Sequence, residues 1–591
     1  MTDTSTLAQG PDVGNEPEGL DHVPIPPNKL QPAGYFAGNY AGEHVAGTEF
    51  VIGALFAGAG AAASDVILGL LLGNLLAVLT WALVTSPIAV DTRLTLYAYL
   101  EKIAGRHFIK LYSVVNGVMF LGLAGSMITV SASAVRVLFN SILPGSPIAA
   151  QTGYLPTDLR FVLIALAVGA VVVTLAIMGF KRLAQFAGAV VPWMMCMFLV
   201  GALALYPMLA AATGATLPAI SPGEMWTVLS TQVYQPTPME GAFWAIPNEA
   251  KSFWSIAAFA WVANLAMHGS LGDMTLLRFA KRKSYGWFSA LGMFIGHFAC
   301  WVFAGVMGAG AAYALTTDIS ALDPGAVATQ ALGGAGVLAV IIAGWTTSNP
   351  TLYRAGLAFQ SLNPKWSRTW VTFIVGVVTM VLACSPFVFS QLLGYVGWMG
   401  LTLSPVGAII VAEHWLFKRF GLNRYWNSYR KSGLNLAAVI AWVAAFAVIF
   451  GLYFGAGVHQ FFLLIPAWIT ATIVYILCAK GFGAADHYPE ARAEESAIAA
   501  RQKYEADYLA SGAPIDESGG YTKAWWGLQI ISYLALIWIV VSATRLLMAD
   551  GEAYEGLLDT FRSHLIWPTL VFFFCAAAAI IIPGEKREVR G

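Results

Sequence analysis

Residues 341–362 read IIAGWTTSNPTLYRAGLAFQSL. The stretch is apolar enough to lie in a membrane, yet Thr346, Thr347, Ser348 and Asn349 follow one another in it, with Pro350 behind them. Proline removes a backbone donor and clashes with the preceding turn, so a helix here is expected to kink and free carbonyls. In lipid, irregular backbone is tolerated only where protein buries it or a cavity solvates it. Ala343, Thr346 and Thr347 fall at i, i+3 and i+4, on one helical face. One carbonyl and two hydroxyls on one face form an oxygen set for a small hard cation. Alternatively, both hydroxyls simply bond back to their own helix.

The surrounding chain fixes the class. Of 591 residues, 58% are hydrophobic and 11% charged, against roughly 25% charged in a soluble domain. Apolar windows of about 20 residues recur along it, each long enough to cross the hydrocarbon core. The reading is an all-α polytopic membrane protein embedded in a lipid bilayer. A formal net charge of zero gives no case for a nucleic-acid partner. The five cysteines lie in apolar runs without CxxC spacing, so neither a disulfide framework nor a zinc site is expected.

Fourteen spans are predicted, at about 40–63, 66–90, 110–139, 159–179, 186–208, 251–272, 286–313, 328–361, 370–388, 390–416, 434–456, 460–479, 524–547 and 564–583. With the N-terminus inside, 27 of the 32 Lys and Arg residues fall on the inner side; Arg136, Arg160, Lys251, Arg545 and Arg562 are the others. That excess follows the positive-inside rule and predicts two cytoplasmic termini. Residues 1–34 are acidic and Pro/Gly-rich, and read as a disordered cytoplasmic tail. The segment 209–250, rich in Trp, Tyr and Pro, falls outside, as a cap on the headgroups or a plain aromatic anchor. Residues 480–523 fall inside and contain a capped polar helix of mixed charge, read as a solvated linker in preference to a docking element.

Ionisable residues within spans are functional candidates by default. The first span opens GNYAGEHVAGTEF, where Gly42 and Gly47 flank Glu43, His44, Thr48 and Glu49. Glycine weakens a helix there, so a break is expected that exposes carbonyls and sets side chains beside a substrate. In the sixth span Trp261, Asn264 and His268 fall at i, i+3 and i+7, one helical face. A ring to stack on, an amide to pair with and a titratable imidazole suit a flat polar heterocycle. Gly269 and Gly272 around Ser270 mark a second break, and Asp273 reads as a cap or as a partner of Arg278. Broken first and sixth helices, in corresponding positions of two halves, point to an inverted-repeat secondary transporter.

ASDVILGLLLGNLL at the second span, GDMTLLRFAK at the end of the sixth and, above all, TTSNPTLYRAGLAFQSLNP in the eighth resemble the nucleobase–cation symporter family, the permeases of cytosine and purines, uracil, thiamine and allantoin. The resemblance covers about residues 35–480. It implies a LeuT-like core of two inverted five-helix repeats over 35–416, peripheral helices over 417–479, and, beyond the family's usual twelve, two extra helices over 524–591.

It also implies a sodium site at Ala343, Thr346 and Thr347, with helix-one carbonyls near Gly42 and Val45. The implied substrate site draws on helices one, three, six and eight: Glu43, His44, Thr48 and Glu49; Ser126 and Thr129; Trp261, Asn264 and His268; and Asn349. The third span has no tryptophan where family members often stack the substrate. The expected activity is import of a small polar solute with sodium across the cell's inner membrane. No cofactor is called for beyond the coupling ion, Na+ or else H+ through Glu43, Glu49 or His268, and a membrane sensor signalling through the 482–523 helix is the rival from another class. No HExxH, GxSxG or Walker motif marks an enzyme.

Overall fold

The computed structural model describes residues 23–581 except 59, 152, 178–179, 236–252, 269–270, 364, 514 and 516–521. It is all-helical. Ten of its helices are long and apolar enough to cross a membrane, which makes the chain a multi-pass membrane protein.

Two series of helices share one pattern. The first is a broken pair, α1 (Ala33–His44) and α2 (Gly47–Gly58), then α3 (Ala63–Thr92). The short α4 (Leu96–Ala104) leads into α5 (Arg106–Ile142), followed by α6 (Leu159–Ile177) and α7 (Phe180–Ala212). The second series opens with another interrupted pair, α8 (Phe253–His268) and α9 (Met274–Leu277). It continues with α10 (Lys283–Leu315), α11 (Gly334–Gln360), α12 (Arg368–Ala383) and α13 (Leu392–Val411). Beyond these lie α14 (Leu436–Gly455), α15 (Gln460–Ala484), α16 (Pro489–Ala510), α17 (Lys523–Leu547), α18 (Gly551–His564) and α19 (Ile566–Ile581).

Packing respects the repeat. α2 lies on α10 and α3 lies on α8, the same pairing seen from either half, while α5 and α11 pack on each other. Glycine permits the close approaches: a Cβ on Gly53 would stand 2.5 Å from the Trp301 carbonyl oxygen, and one on Gly69 2.8 Å from that of Phe253. Between helices in lipid, where no hydrophobic drive separates helix from tail, such backbone proximity supplies much of the association.

Three expectations are corrected. The tail is packed from Ile25 on: Leu30 is fully buried, the Ile25 amide donates to the Arg93 carbonyl at 3.2 Å, and that of Gln31 to Phe279 at 2.9 Å. Apolar Ile25 and Leu30, on either side of a 3-10 turn at Pro27–Lys29, anchor it; residues 1–22 lie outside the described residues. Secondly, α11 stays helical through Pro350. The interruption comes earlier, at Gly333, whose φ of 58° separates α11 from the short helix Pro324–Leu332. Thirdly, α16 is docked by ion pairs to the rest of the molecule. Of the 209–250 segment, a helix at Pro222–Val228 is seen, closed by a Ser221/Glu224 capping box, and residues 236–250 lie outside the described residues.

Candidate functional site

The break in helix one sits at Val45–Ala46. Val45 leaves the helical region at φ −110°, ψ 77°. Glu49 holds the new start: its Oε2 accepts from the Ala46 amide at 2.8 Å and from the Thr48 hydroxyl at 2.9 Å. A carboxylate at a helix N-terminus satisfies orphan amides and faces the positive end of the helix dipole. Its other oxygen, Oε1, lies 3.2 Å from His297 Nε2 on α10, and Glu49 is fully buried. His297 stacks on Trp301 at 4.4 Å between ring centres and 9° between planes, and meets the edge of His44 at 4.8 Å. α10 is π-helical over Leu291–Cys300, a widened turn that recurs at functional sites. Gly292 and Gly296 let it reach helix one: a Cβ on Gly292 would stand 2.6 Å from His44 Nδ1, and one on Gly296 would collide with the His44 carbonyl.

The same break rests on α11 at the stretch 343–349. A Cβ on Gly47 would lie 3.0 Å from the Gly344 nitrogen and 3.2 Å from the Ala343 carbonyl carbon. The Thr346 and Thr347 hydroxyls both donate to the Ala343 carbonyl, at 2.9 and 3.4 Å. Three oxygens therefore converge there, in a back-bonded arrangement that leaves hydroxyl lone pairs available. On the other side Gly344 abuts α5, 2.6 Å from its Cβ position to the Met127 carbonyl oxygen, and the Ser131 hydroxyl donates to the Ile341 carbonyl at 3.0 Å. Next along α11, Ser348 Oγ and both amide atoms of Asn349 are buried without a hydrogen-bond partner. Buried polar atoms are almost always paired, and among the described residues Asn264 Oδ1 on helix six is likewise without a partner.

Other predicted residues point elsewhere. The Ser126 hydroxyl bonds back to the Leu123 carbonyl at 2.7 Å, and Thr129 donates to the Ala383 carbonyl on α12 at 2.7 Å. Trp261 Nε1 donates to the Thr80 hydroxyl at 3.2 Å, and Asn264 Nδ2 to Asn74 Oδ1 at 3.1 Å. Both partners lie on α3, so the polar face of helix six is turned to helix two. Gly269, Ser270 and the side chain of His268 lie outside the described residues. Gly42 is buried and Val45 forms the break.

Glu43 enters a cluster the sequence did not single out. Arg354 of α11 pairs with Glu43 at the end of α1, its second guanidinium nitrogen at 3.2 Å, and lies 3.6 Å from Asp273. Asp273 also accepts from Trp81 Nε1 at 2.6 Å; it stands at the N-cap position of α9 without capping it. Arg354 thus joins the two interrupted helices to helix eight. Its signal was an arginine one turn beyond a polar run in an apolar helix. For His297, the signal was the four-residue spacing of Gly292 and Gly296.

No family model matches the chain. Over 120 residues it is 26% identical to the cytosine permease of Escherichia coli strain K12, and to those of two other strains of that species. The match spans 20% of this chain and 26% of the permease. The fold is that of Mhp1, a nucleobase-cation-symport-1 family transporter, in a closed conformation with bromovinylhydantoin bound: TM-score 0.59 at 15% identity, covering 79% of this chain and 96% of that one. A sodium-coupled sialic acid symporter matches at TM-score 0.53 and 12% identity, over 78% of this chain and 92% of its own. The short sequence match to a permease agrees with the resemblance to the nucleobase–cation symporter family, and the solved structures share the fold.

Proposed function

We propose that the chain is a secondary active transporter that carries a nucleobase, or a related small polar heterocycle, inward with sodium by alternating access, with both termini in the cytoplasm of a cell whose inner membrane it spans. The observation that carries this reading is the packing of the helix-one break on α11, beside the converging oxygens of Ala343, Thr346 and Thr347 and two residues from the unpaired Asn349 amide. Unwound carbonyls and hydroxyls suit a desolvated sodium ion, and midplane helix breaks are where such carriers bind ion and substrate. Sodium at this point shifts the cycle by binding the outward-open form more tightly, since an ion moves an equilibrium only through differential affinity. Asn349 offers a donor and an acceptor to a heterocycle edge, and Trp345 Nε1, also unpaired, is one further donor on α11.

Uptake of radiolabelled cytosine into proteoliposomes, with and without a sodium gradient, tests the reading. Thr346→Ala with Thr347→Ala should abolish sodium stimulation; unchanged sodium dependence sinks the cation assignment. A specific observation favours a second reading. Glu49 and His297 form a buried acid–imidazole pair at the hinge, a place where gain or loss of one proton alters the charge beside a moving helix. Uptake driven by a pH gradient without sodium, lost in Glu49→Gln, would favour protons as the coupling ion.

A further inference from the structure

The polar helix α16 lies across the face of the molecule that carries the N-terminal segment, and its charges are spent on two different bodies. At one end, Glu505 pairs with Arg93, whose Nε donates to Glu505 Oε2 at 2.9 Å. Arg93 caps the end of α3 in a left-handed conformation, and its side chain is fully buried. The same guanidinium donates to the carbonyls of Arg278 and Ala280, at 2.7 and 2.6 Å, just past α9. Its own carbonyl accepts from the Ile25 amide. Arg501, one turn before Glu505, donates to the Asp91 carbonyl. This end of α16 therefore grips α3 directly and, through Arg93, the chain leaving helix six and the chain entering helix one.

The other end grips different helices. Glu494 pairs with Lys102 on α4, the segment leading into α5. Glu495 pairs with Lys418, just past α13, at 2.8 Å. Glu505 lies eleven positions beyond Glu494 on the helix, a span of about 16 Å at 1.5 Å per residue. The first anchor holds helices one, two and six, which pack together with α10; in the second, Lys102 holds the approach to α5, which packs with α11 and α12, whereas Lys418 follows α13, which packs on α8, so that Lys102 is the tie to the second body.

We propose that α16 is a strap holding these two bodies together on the N-terminal face, and that its ion pairs must part before that face opens. The purpose of the strap rests on the alternating-access reading above, but its existence does not. A fully buried arginine loses much when its carboxylate leaves, because an uncompensated charge remains. The Arg93–Glu505 anchor is thus the strong one; the Lys418–Glu495 pair, exposed on both sides, is weak and salt-sensitive.

Hydrogen exchange of the purified full chain tests this without any substrate. In Glu505→Ala, the amides of 25–31 and 278–283 should exchange roughly tenfold faster, because opening frees both segments that Arg93 ties down. The double variant Glu494→Gln/Glu495→Gln, which leaves Arg93 paired, should speed the same two segments by a smaller factor, and α14 should not change in either. Unchanged exchange in both segments of folded Glu505→Ala overturns the strap. Should that variant fail to fold, unchanged exchange in the double variant overturns it equally. Failure of sodium-driven uptake in wild type would instead remove the carrier reading and leave the exchange result standing.

Discussion

Helices one and six occupy equivalent places in the two repeats, and each carries a run of polar residues before an interruption. They use them differently. Helix one turns its break toward helix eight: Gly47 touches Gly344, and Glu49 closes the new helix start while meeting His297. Helix six spends Trp261 and Asn264 on Thr80 and Asn74 of helix two. An inverted repeat makes backbones equivalent without making side chains so, and the proposed site is weighted toward helices one and eight.

The strongest way to break this comparison is at Arg354, where both interrupted helices meet helix eight. Arg354→Ala takes the guanidinium from beside Glu43 and Asp273 and should cost about 3–5 kcal/mol of stability in detergent, as for other pairs broken from one side. Adding Glu43→Gln and Asp273→Asn should recover part of it. A loss of only a few tenths would show that the breaks are not tied together there.

Next come the two glycine contacts. Gly296→Ala pushes helix seven from the end of helix one and Gly73→Ala pushes helix two from helix six, where the Ala257 carbonyl stands. Each should cost about 1–3 kcal/mol by overpacking. Only Gly296→Ala should also weaken the thermal stabilisation given by sodium. Equal sodium responses in the two variants would erase the asymmetry.

Asn264 and Asn349 sharpen it. Asn264→Leu strips Asn74 Oδ1 of its donor and should destabilise by about 1–3 kcal/mol while leaving the KM for cytosine unchanged. Asn349→Leu removes an amide with no protein partner, so it should raise that KM about tenfold or more and leave stability nearly intact. A reversed pattern would put helix six back at the substrate. Smallest of all, Trp261→Phe should lose the bond to Thr80, about 1 kcal/mol, with uptake retained.

Much of the fold was legible. Apolar runs located ten of the fourteen predicted spans as helices long and apolar enough to cross, because backbone in lipid must bond to itself, and glycine-flanked polar residues marked the break at Val45–Ala46 within a few positions. Spacing also placed Thr346 and Thr347 on the face of Ala343, since both lie one turn beyond it. The partner of each polar face was not legible. Trp261 and Asn264 do share a face, but helical periodicity says nothing of which neighbour that face meets. Ser126 and Thr129 were read into helix three's share of the site, whereas Thr129 is committed to Ala383, 254 positions away.

The mixed charges of α16 show the same division. Sequence alone determined a capped polar helix between two apolar spans, for local caps and composition suffice to form one. Whether it floats or clasps depended on where Arg93, Lys102 and Lys418 arrive in space. Arg93 and Lys102 come from the connection between α3 and α5 and Lys418 from the end of α13, and only the packed bundle brings both connections beneath one helix. Membrane insertion and helix breaks are written in short-range chemistry and can be read from the chain. The pairing of Glu49 with His297, of Arg354 with Glu43 and Asp273, and of Glu505 with Arg93 is long-range, fixed by how glycine-lined helices close on one another.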